Sequence, residues 1–189
     1  LLVRPGDSTE RGIQPGDRFV RSVREQLESY EKYLRGQYED GGTLPAELER
    51  KWKAYTSDLL DKAGGADMVR KGRLKKSDGS VEERPLGYPW FRRMGWQTKN
   101  KPIILDDGRL IVPLYSDGFS FSLMAITDNW GETWTFSKPL VAPGNIQATL
   151  ARKKDGTLVA YMRDNGPAPQ RMHVSYSKDR GETWSDTRD

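Results

Sequence analysis

An internal repeat in the C-terminal half constrains the fold more than any other feature of the sequence. The run Asp-Gly-Arg-Leu-Ile-Val at 107–112 recurs 48 residues later as Asp-Gly-Thr-Leu-Val-Ala at 155–160. A second run, Gly-Glu-Thr-Trp, stands at 131–134 and again 50 residues later at 181–184. Two separate motifs with nearly the same period indicate that one structural unit is encoded twice.

The repeated unit has the pattern of short strands joined by tight turns. Asp-Gly is turn chemistry, and after its first copy Leu110, Val112 and Leu114 alternate with the residues between them. That period of two predicts a strand. A period of about 40–50 residues built from short strands is typical of β-propellers, in which each blade is a four-stranded sheet.

A second alternating segment lies just before the last Gly-Glu-Thr-Trp run. Met172, Val174 and Tyr176 alternate there with three other residues, among them His173, the only histidine of the chain. The pattern predicts a strand with one apolar face and places His173 on the polar, surface-facing side. No partner stands at a metal-ligand spacing from this histidine, so the sequence predicts no metal site.

The N-terminal half has a different period. Between about 17 and 64, apolar residues recur three and four positions apart, which predicts amphipathic helices. A Gly-Gly-Thr-Leu-Pro break at 41–45 divides the stretch, so the prediction is a helical hairpin. Its apolar stripes consist of Val20, Val23, Leu27, Tyr30 and Leu34, and of Leu48, Trp52, Tyr55 and Leu59. Such stripes need a cover, and the β half is the expected one.

Composition excludes several classes of function. The 31 basic residues are nearly matched by 27 acidic ones, and the basic run at 70–76 has no interleaved aromatic residue. A solvated loop is therefore expected there rather than a nucleic-acid site. The absence of cysteine excludes disulfides and thiolate metal sites. No apolar run approaches the roughly twenty residues that a membrane span needs, no signal peptide is visible, and the cellular compartment is left open.

The second Gly-Glu-Thr-Trp run belongs to a recognisable motif. Residues 177–184, Ser-Lys-Asp-Arg-Gly-Glu-Thr-Trp, resemble the Asp-box of sialidases and related BNR-repeat proteins, and 127–134 resemble a degenerate copy. More broadly, 94–189 is similar to predicted bacterial neuraminidases of this group. The resemblance implies that the motif residues build a turn and take no part in catalysis. They are Thr127, Asn129, Gly131, Trp134, Ser177, Asp179, Gly181 and Trp184.

The resemblance implies a mainly β fold, namely part of a sialidase-type β-propeller that has six blades in the parent protein. The expected division is 1–16 as the end of a preceding blade, 17–64 as a helical hairpin insertion, 65–93 as a basic connecting loop, and 94–189 as two tandem blades. The chain is expected to be a fragment that is inactive alone. The Tyr nucleophile of this family and its Glu partner would come from later blades.

The activity implied by the resemblance is exo-acting glycoside hydrolysis that removes terminal acidic sugars, such as sialic acid, from glycans. Arg163 is the candidate for gripping the sugar carboxylate, and Asp117 and Asp164 are the candidates for acid/base work. Further polar residues are expected in the groove: Lys99, Asn100, Lys101, Tyr115, Gln147 and Asn165. Two simpler interpretations stay open, in which Arg163 and Asp164 form a local ion pair and Asp117 caps a turn.

Two other functions also remain open at this point. A propeller can bind glycans without turning them over, and a base with a neutralising cation would make it a polysaccharide lyase acting on uronic-acid polymers. In each case the expected partner is a glycan, with no nucleic acid, no membrane span, no cofactor and no metal. The oligomeric state is left open.

Overall fold

The structure is a computed structural model that describes residues 17–38, 42–64, 72–75, 78–84, 95–166 and 170–189. Of 72–75 and 81–84 it describes the backbone alone. The predicted blade end at 1–16 lies outside the described residues. The elements are α1 (Asp17–Arg35), α2 (Ala46–Ala63), β1 (Gly72–Lys75), β2 (Val81–Arg84), β3 (Ile103–Ile104), β4 (Leu110–Ser116), β5 (Phe121–Thr127), β6 (Thr135–Phe136), β7 (Asn145–Arg152), β8 (Leu158–Asp164) and β9 (His173–Ser177).

Three antiparallel sheets account for the strands. β3-β4-β5-β6 form a four-stranded sheet, β7-β8-β9 form a three-stranded sheet, and β1 pairs with β2. An isolated bridge between Val174 and Arg188 adds the start of a fourth strand beside β9. The prediction of a mainly β protein with antiparallel sheets is confirmed. The propeller, the number of its blades and the insertion of the helices between blades stay predictions.

The two larger sheets pack against each other through one apolar core. Ile111, Met124 and Ile126 of the four-stranded sheet meet Ala160 and Met162 of the three-stranded sheet in this core. Because successive side chains of a strand point to opposite faces, these residues define the faces that the two sheets turn toward one another.

β4 is buried on both of its faces, which the alternating pattern of the sequence does not show. Ile111 is fully buried toward the three-stranded sheet. Val112 and Leu114, on the opposite face, belong to a separate buried cluster with Leu123 and Phe136. A strand between two layers carries apolar residues at consecutive positions, so alternation is a poor guide to its burial.

The basic segment contains regular structure that the sequence analysis does not predict. Instead of a connecting loop, the backbone at 72–75 and 81–84 forms the β1–β2 hairpin, with Gly72 paired to Arg84 and Lys75 to Val81. The predicted loop is therefore wrong for these two stretches. Charged residues alternate with uncharged ones along β1, whereas in β2 three charged residues follow Val81.

The two helices occupy the stretch in which the apolar period predicts helix, and they pack on each other. The rings of Tyr30 in α1 and Trp52 in α2 lie 5.5 Å apart between centroids. The residues that the pair buries most deeply are Phe19, Val23, Leu27, Trp52, Leu59 and Ala63. Their side chains recur at helical spacing, so one stripe of each helix is removed from water.

α1 contacts both larger sheets. At its first turn, the Phe19 ring packs edge-on against Phe119, 5.2 Å away, at the β4–β5 turn. Further along, Ser29 Oγ donates a 2.7 Å hydrogen bond to Asp186 Oδ1, and the Arg188 guanidinium lies 5.8 Å from the centroid of the Tyr33 ring. The helix therefore runs from one sheet to the C-terminal edge of the next.

Candidate functional site

The second Asp-box is a turn held together by its own side chains. Ser177 Oγ donates to Asp179 Oδ1 at 2.8 Å and accepts the Gly181 N–H at 2.9 Å. Asp179 also accepts the Thr183 N–H at 2.9 Å and the Thr183 hydroxyl. Partial burial works against ionisation, but the bonds from Thr183 and Ser177 outweigh it and lower the pKa of Asp179.

The first box has the same geometry despite two substitutions. Thr127 Oγ1 accepts the Gly131 N–H at 2.9 Å, as Ser177 does for Gly181. Asn129 Oδ1 accepts the Thr133 N–H at 2.9 Å. Asn129 Nδ2 then donates to Thr133 Oγ1, which reverses the direction of the corresponding bond in the second box. A side-chain oxygen at this position is enough to close the turn.

The second box also joins the two larger sheets. Arg109, in the Asp-Gly turn before β4, pairs with Asp128 at 2.7 Å and with Glu182 at 3.0 Å. Its side chain is only 11% exposed, and its hydrogen bonds lower the pKa of Asp128. Arg180 pairs with Asp107 on the same rim. The second box therefore joins the two larger sheets.

A pocket of about 430 Å³ lies on the face of the three-stranded sheet that points away from the four-stranded sheet. Tyr161 and Arg163 face it, because the alternate residues Ala160 and Met162 pack into the core between the sheets. The residues that line the pocket are Gln147, Thr149, Tyr161, Met162, Arg163, Asp164, Gln170, Arg171 and Met172. It thus brings together three of the predicted site residues.

Asp164 has the most constrained side chain of this pocket. Its carboxylate is only 8% exposed. Oδ1 accepts the Gly166 N–H at 2.6 Å, and Oδ2 accepts the Arg171 N–H at 3.4 Å. Gly144 packs so closely here that a Cβ on it would come within 2.7 Å of Asp164 Oδ1. These backbone groups restrict the orientations that the carboxylate can take.

The pocket also carries two arginines. Arg163 is exposed, and among the described residues no ion pair occupies its guanidinium. The local Arg163–Asp164 ion pair that the sequence left open is not formed. Arg171 approaches the Asp189 carboxylate at 3.5 Å. The exposed ring of Tyr161 stands beside them and offers an apolar surface.

Lys99, Asn100 and Gln147 meet where the segment before β3 contacts β7. Lys99 Nζ donates to Gln147 Oε1 at 3.0 Å. Asn100 Nδ2 donates to the carbonyl oxygens of Gln147 and Ala148 at 2.8 and 3.1 Å. Gln147 lies at a β-bulge with a positive φ of 56°, a backbone conformation that costs energy for a residue with a side chain.

The remaining candidates do not line this pocket. Asp117 lies in the turn that joins β4 to β5, and within the described part of the chain its carboxylate has no hydrogen-bond partner, so the turn-capping interpretation finds no bond there. Tyr115 is buried and its hydroxyl donates to Gln97 Oε1 at 3.3 Å. Lys101 and Asn165 are exposed on neighbouring segments. The predicted convergence of both acids on one arginine is not seen in the lining of this pocket.

His173 is the residue that sequence reasoning misplaced. The alternation in β9 is inverted: Met172 is 66% exposed, while His173 and Ser175 are buried. The histidine lies behind Asp164, with Nε2 3.6 Å from Asp164 Oδ2 and 3.5 Å from Asp189 Oδ1. No signal in a single sequence marks this inversion, because the polar face of β9 is covered by residues distant in the chain.

Helix α1 places the phenol of Tyr30 near the carboxylates of Asp164 and Asp189. Burial raises the pKa of Tyr30 to about 12, and the charges of Tyr33, Asp189, Asp164 and Asp186 add to the shift. Tyr30 thus keeps its proton at neutral pH. Its place beside the cluster depends on contact between the helical and β halves, which periodicity alone does not reveal.

Residues 70–189 match a family model described as "BNR repeat-like domain". A curated relative, the anhydrosialidase of Macrobdella decora, is 33% identical over 81 residues, which are 42% of this chain and 10% of the relative. The chain thus spans about a tenth of that protein's length. The resemblance to the sialidase and BNR-repeat superfamily is confirmed.

Two solved structures are partly similar. The intramolecular trans-sialidase of Ruminococcus gnavus, in complex with oseltamivir carboxylate, matches with a TM-score of 0.38 and 29% identity, over 46% of this chain and 18% of the other. The leech intramolecular trans-sialidase, in complex with 2,7-anhydro-Neu5Ac, matches with a TM-score of 0.37 and 30% identity, over 45% of this chain and 12% of the other.

Neither α1 nor α2 is long and apolar enough to cross a bilayer, in the part of the chain that the structure covers.

Proposed function

Because the chain belongs to the family of BNR repeat-like domains, we propose that it forms part of a sialidase-like propeller that recognises terminal acidic sugars of glycans and hydrolyses their exo-glycosidic bond. The observation that carries the proposal is the pocket lined both by Arg163, whose guanidinium has no ion-pair partner among the described residues, and by the nearly buried carboxylate of Asp164. The names of the relatives, which refer to sialic acid chemistry, support the choice of sugar class.

Arg163 is proposed to bind the sugar carboxylate. A guanidinium binds a carboxylate through two parallel N–H donors. It can do so only if no protein carboxylate already occupies those donors. Arg171 lies at the same pocket and adds positive charge, although Asp189 shares it. Gln147 and Gln170 can donate to sugar hydroxyls, and the Tyr161 ring can pack on a pyranose face.

Asp164 is proposed as the acid/base group. A carboxyl held by backbone N–H groups at a pocket wall keeps its position while a substrate binds, which proton transfer requires. Asp117 lies outside the pocket lining and takes the second place among the candidates. Hydrolysis with retention needs a nucleophile as well, and the family resemblance assigns that role to a tyrosine of another blade.

Glycan binding without turnover is the second candidate, and one observation favours it. Asp164 is the one carboxylate among the described residues that line the pocket. Glycoside hydrolysis ordinarily needs a pair of catalytic groups. Tyr30 is not among the described residues that line the pocket, and burial raises its pKa to about 12.

Replacement of Arg163 by alanine tests the proposal. We expect the affinity of the chain for a sialyl oligosaccharide, measured by calorimetry or ligand-observed NMR, to fall about 10- to 100-fold, because charge-assisted hydrogen bonds are lost. Arg152→Ala is the matched control, since Arg152 pairs with Asp106 on the exposed surface. Equal affinity of the Arg163→Ala variant and the unaltered chain would remove the site assignment.

Turnover separates the candidate activities. Release of a fluorophore from a fluorogenic sialoside by the full-length protein, abolished in Asp164→Asn, indicates hydrolysis. Binding with no release indicates a glycan-binding module. An unsaturated uronate detected by its ultraviolet absorbance after incubation with a uronic-acid polymer indicates a lyase and contradicts the proposal.

A further inference from the structure

The buried histidine behind the pocket has a defined set of partners. Nδ1 of His173 contacts Asn145 Oδ1, and Nε2 faces Asp164 Oδ2 at 3.6 Å and Asp189 Oδ1 at 3.5 Å. The proposed function assigns no role to this ring. Its side chain is only 10% exposed, so these contacts, and not water, decide where its protons lie.

Asn145 determines that Nδ1 of His173 carries a proton. Its side chain is fully buried, and Nδ2 donates to the Leu140 carbonyl at 3.0 Å and to Thr187 Oγ1 at 2.7 Å. A carbonyl oxygen only accepts hydrogen bonds, so the amide group of Asn145 must turn its NH₂ toward Leu140. Its oxygen then faces His173, and an acceptor opposite Nδ1 requires that Nδ1 carry a proton.

The charges around Nε2 decide what happens at the other nitrogen. In a neutral ring with its proton on Nδ1, the Nε2 lone pair would point at two carboxylates, which repel it. A second proton on Nε2 makes the ring a cation, and both contacts then become ion-pair attractions at 3.6 and 3.5 Å. The other charged and titratable groups that face the cluster are Arg171, which approaches Asp189, and Tyr30 and Asp186 on the side of α1.

We propose that His173 is a positioning residue that is clamped at Nδ1 by Asn145 and that, as a ring protonated on both nitrogens, holds the carboxylate of Asp164 at the pocket wall by charge attraction across 3.6 Å. The inference rests on the proposed function insofar as Asp164 is the acid/base group. Gly166 holds one carboxylate oxygen, and His173 with the Arg171 N–H holds the other. The carboxylate then has no freedom to rotate out of the pocket.

The proton positions can be measured directly, because the chain contains a single histidine and gives one set of ring signals. Long-range ¹H–¹⁵N correlation spectra of the chain report which ring nitrogens carry protons. In the charged ring we expect a proton on both nitrogens. An unconstrained neutral histidine favours the Nε2–H tautomer, whereas we expect the neutral form of His173 to keep its proton on Nδ1. Asn145→Ala should restore the Nε2–H form, whereas Thr187→Val, which keeps the Leu140 contact, should not. An Nε2–H tautomer in the unaltered chain overturns the proposal.

Two amide variants test the clamp on Asp164. Glutamine can place a donor near the position of Nε2, and asparagine can place one near that of Nδ1. In His173→Asn we expect the hydrogen-exchange protection of the Gly166 amide to fall about tenfold, as a loosened acceptor predicts. In His173→Gln protection should largely return, and the Gly131 amide in the first box should not change in either variant. Equal protection of Gly166 in both variants contradicts the clamp.

Kinetics of the full-length protein connect the clamp to function. His173→Asn should lower kcat about 10- to 100-fold through misplacement of Asp164, with KM nearly unchanged. An unaltered kcat overturns the positioning role. Absence of any hydrolysis by the unaltered protein overturns the proposed function instead, while the tautomer and the exchange measurements still decide the clamp.

Discussion

At the scale of single residues, the two Asp-boxes show which atoms of the motif matter. Asn129 and Asp179 both present an oxygen to a backbone N–H four residues on. They differ in the second side-chain bond, which Asn129 donates to Thr133 and Asp179 accepts from Thr183. A threonine hydroxyl can serve either direction, so the turn tolerates the exchange of carboxylate for amide.

Exchange of these residues should therefore cost little. We expect Asp179→Asn to change the free energy of unfolding by less than about 1 kcal/mol, and Asp179→Ala to lower it by about 1–2 kcal/mol, because the Thr183 N–H loses its acceptor. Urea denaturation followed by tryptophan fluorescence measures both. A loss in Asp179→Asn as large as that in Asp179→Ala would show that the charge, and not the oxygen, closes the turn.

Gly144 is the glycine whose replacement should do most damage. Its φ is +91°, and a Cβ would lie 2.6 Å from the Asn165 nitrogen. We expect Gly144→Ala to lower the free energy of unfolding by about 3 kcal/mol or more, from a left-handed backbone and an overpacked contact together. Gly156→Ala is the control, since φ is +85° but nothing lies within 4 Å, and it should cost about 1–2 kcal/mol. Equal losses would exclude the packing contribution.

At the scale of elements, the contact between α1 and the four-stranded sheet is an aromatic cluster. Phe19 is 1% exposed and contacts Trp96, Phe119 and Phe121. These residues come from segments about 80 to 100 positions apart in the chain, so periodicity identifies the buried stripe of the helix but not its partner.

Truncation of this ring should weaken the docking of the helices. We expect Phe19→Ala to lower the free energy of unfolding by about 3–5 kcal/mol, as for other buried phenylalanines. Val20→Ala, at a partly buried neighbour, should cost clearly less. Chemical denaturation followed by circular dichroism and by tryptophan fluorescence gives both values. A loss below about 1 kcal/mol in Phe19→Ala would mean that the ring is not part of the core.

The parts of the fold that the sequence predicts are those encoded by local or repeated patterns. The two turns can be predicted because 127–134 and 177–184 are each closed by hydrogen bonds within the motif. The pocket can be predicted from the sequence only in part. Arg163 and Asp164 follow from their place at a strand end, but the burial of His173 depends on Asn145 and on the C-terminal residues, which no local pattern connects.

At the scale of the whole molecule, several carboxylates that join or close the sheets share one response to acid. Hydrogen bonds from Thr183 and Ser177 lower the pKa of Asp179, and those from Arg109 lower the pKa of Asp128. The Arg109 backbone N–H, followed by the Arg180 side chain, lowers the pKa of Asp107. A carboxyl with a lower pKa in the folded state stabilises the fold above its ordinary pKa, and this stabilisation is lost as the pH falls through the folded value.

The chain should therefore be nearly equally stable from neutral pH down to about pH 5 and lose stability below about pH 4, where ordinary aspartates take up protons. Thermal unfolding at a series of pH values measures the decline. Asp128→Asn should lower Tm at neutral pH and make the acid decline shallower, since one of the ionised partners is gone. A decline that begins near pH 6 would point to another group.

The second Asp-box contacts the sheet that precedes it in the chain, so the later unit docks on the earlier one. Gly181 packs against Ile111, and Glu182 reaches back to Arg109, so the turn that ends one unit is seated on its predecessor. The residue of the first box that is equivalent to Arg180 is Trp130, whose side chain is 72% exposed. During synthesis the earlier sheet leaves the ribosome first, so we expect the second unit to dock on a sheet that is already present. The order of translation can thus serve as the order of assembly.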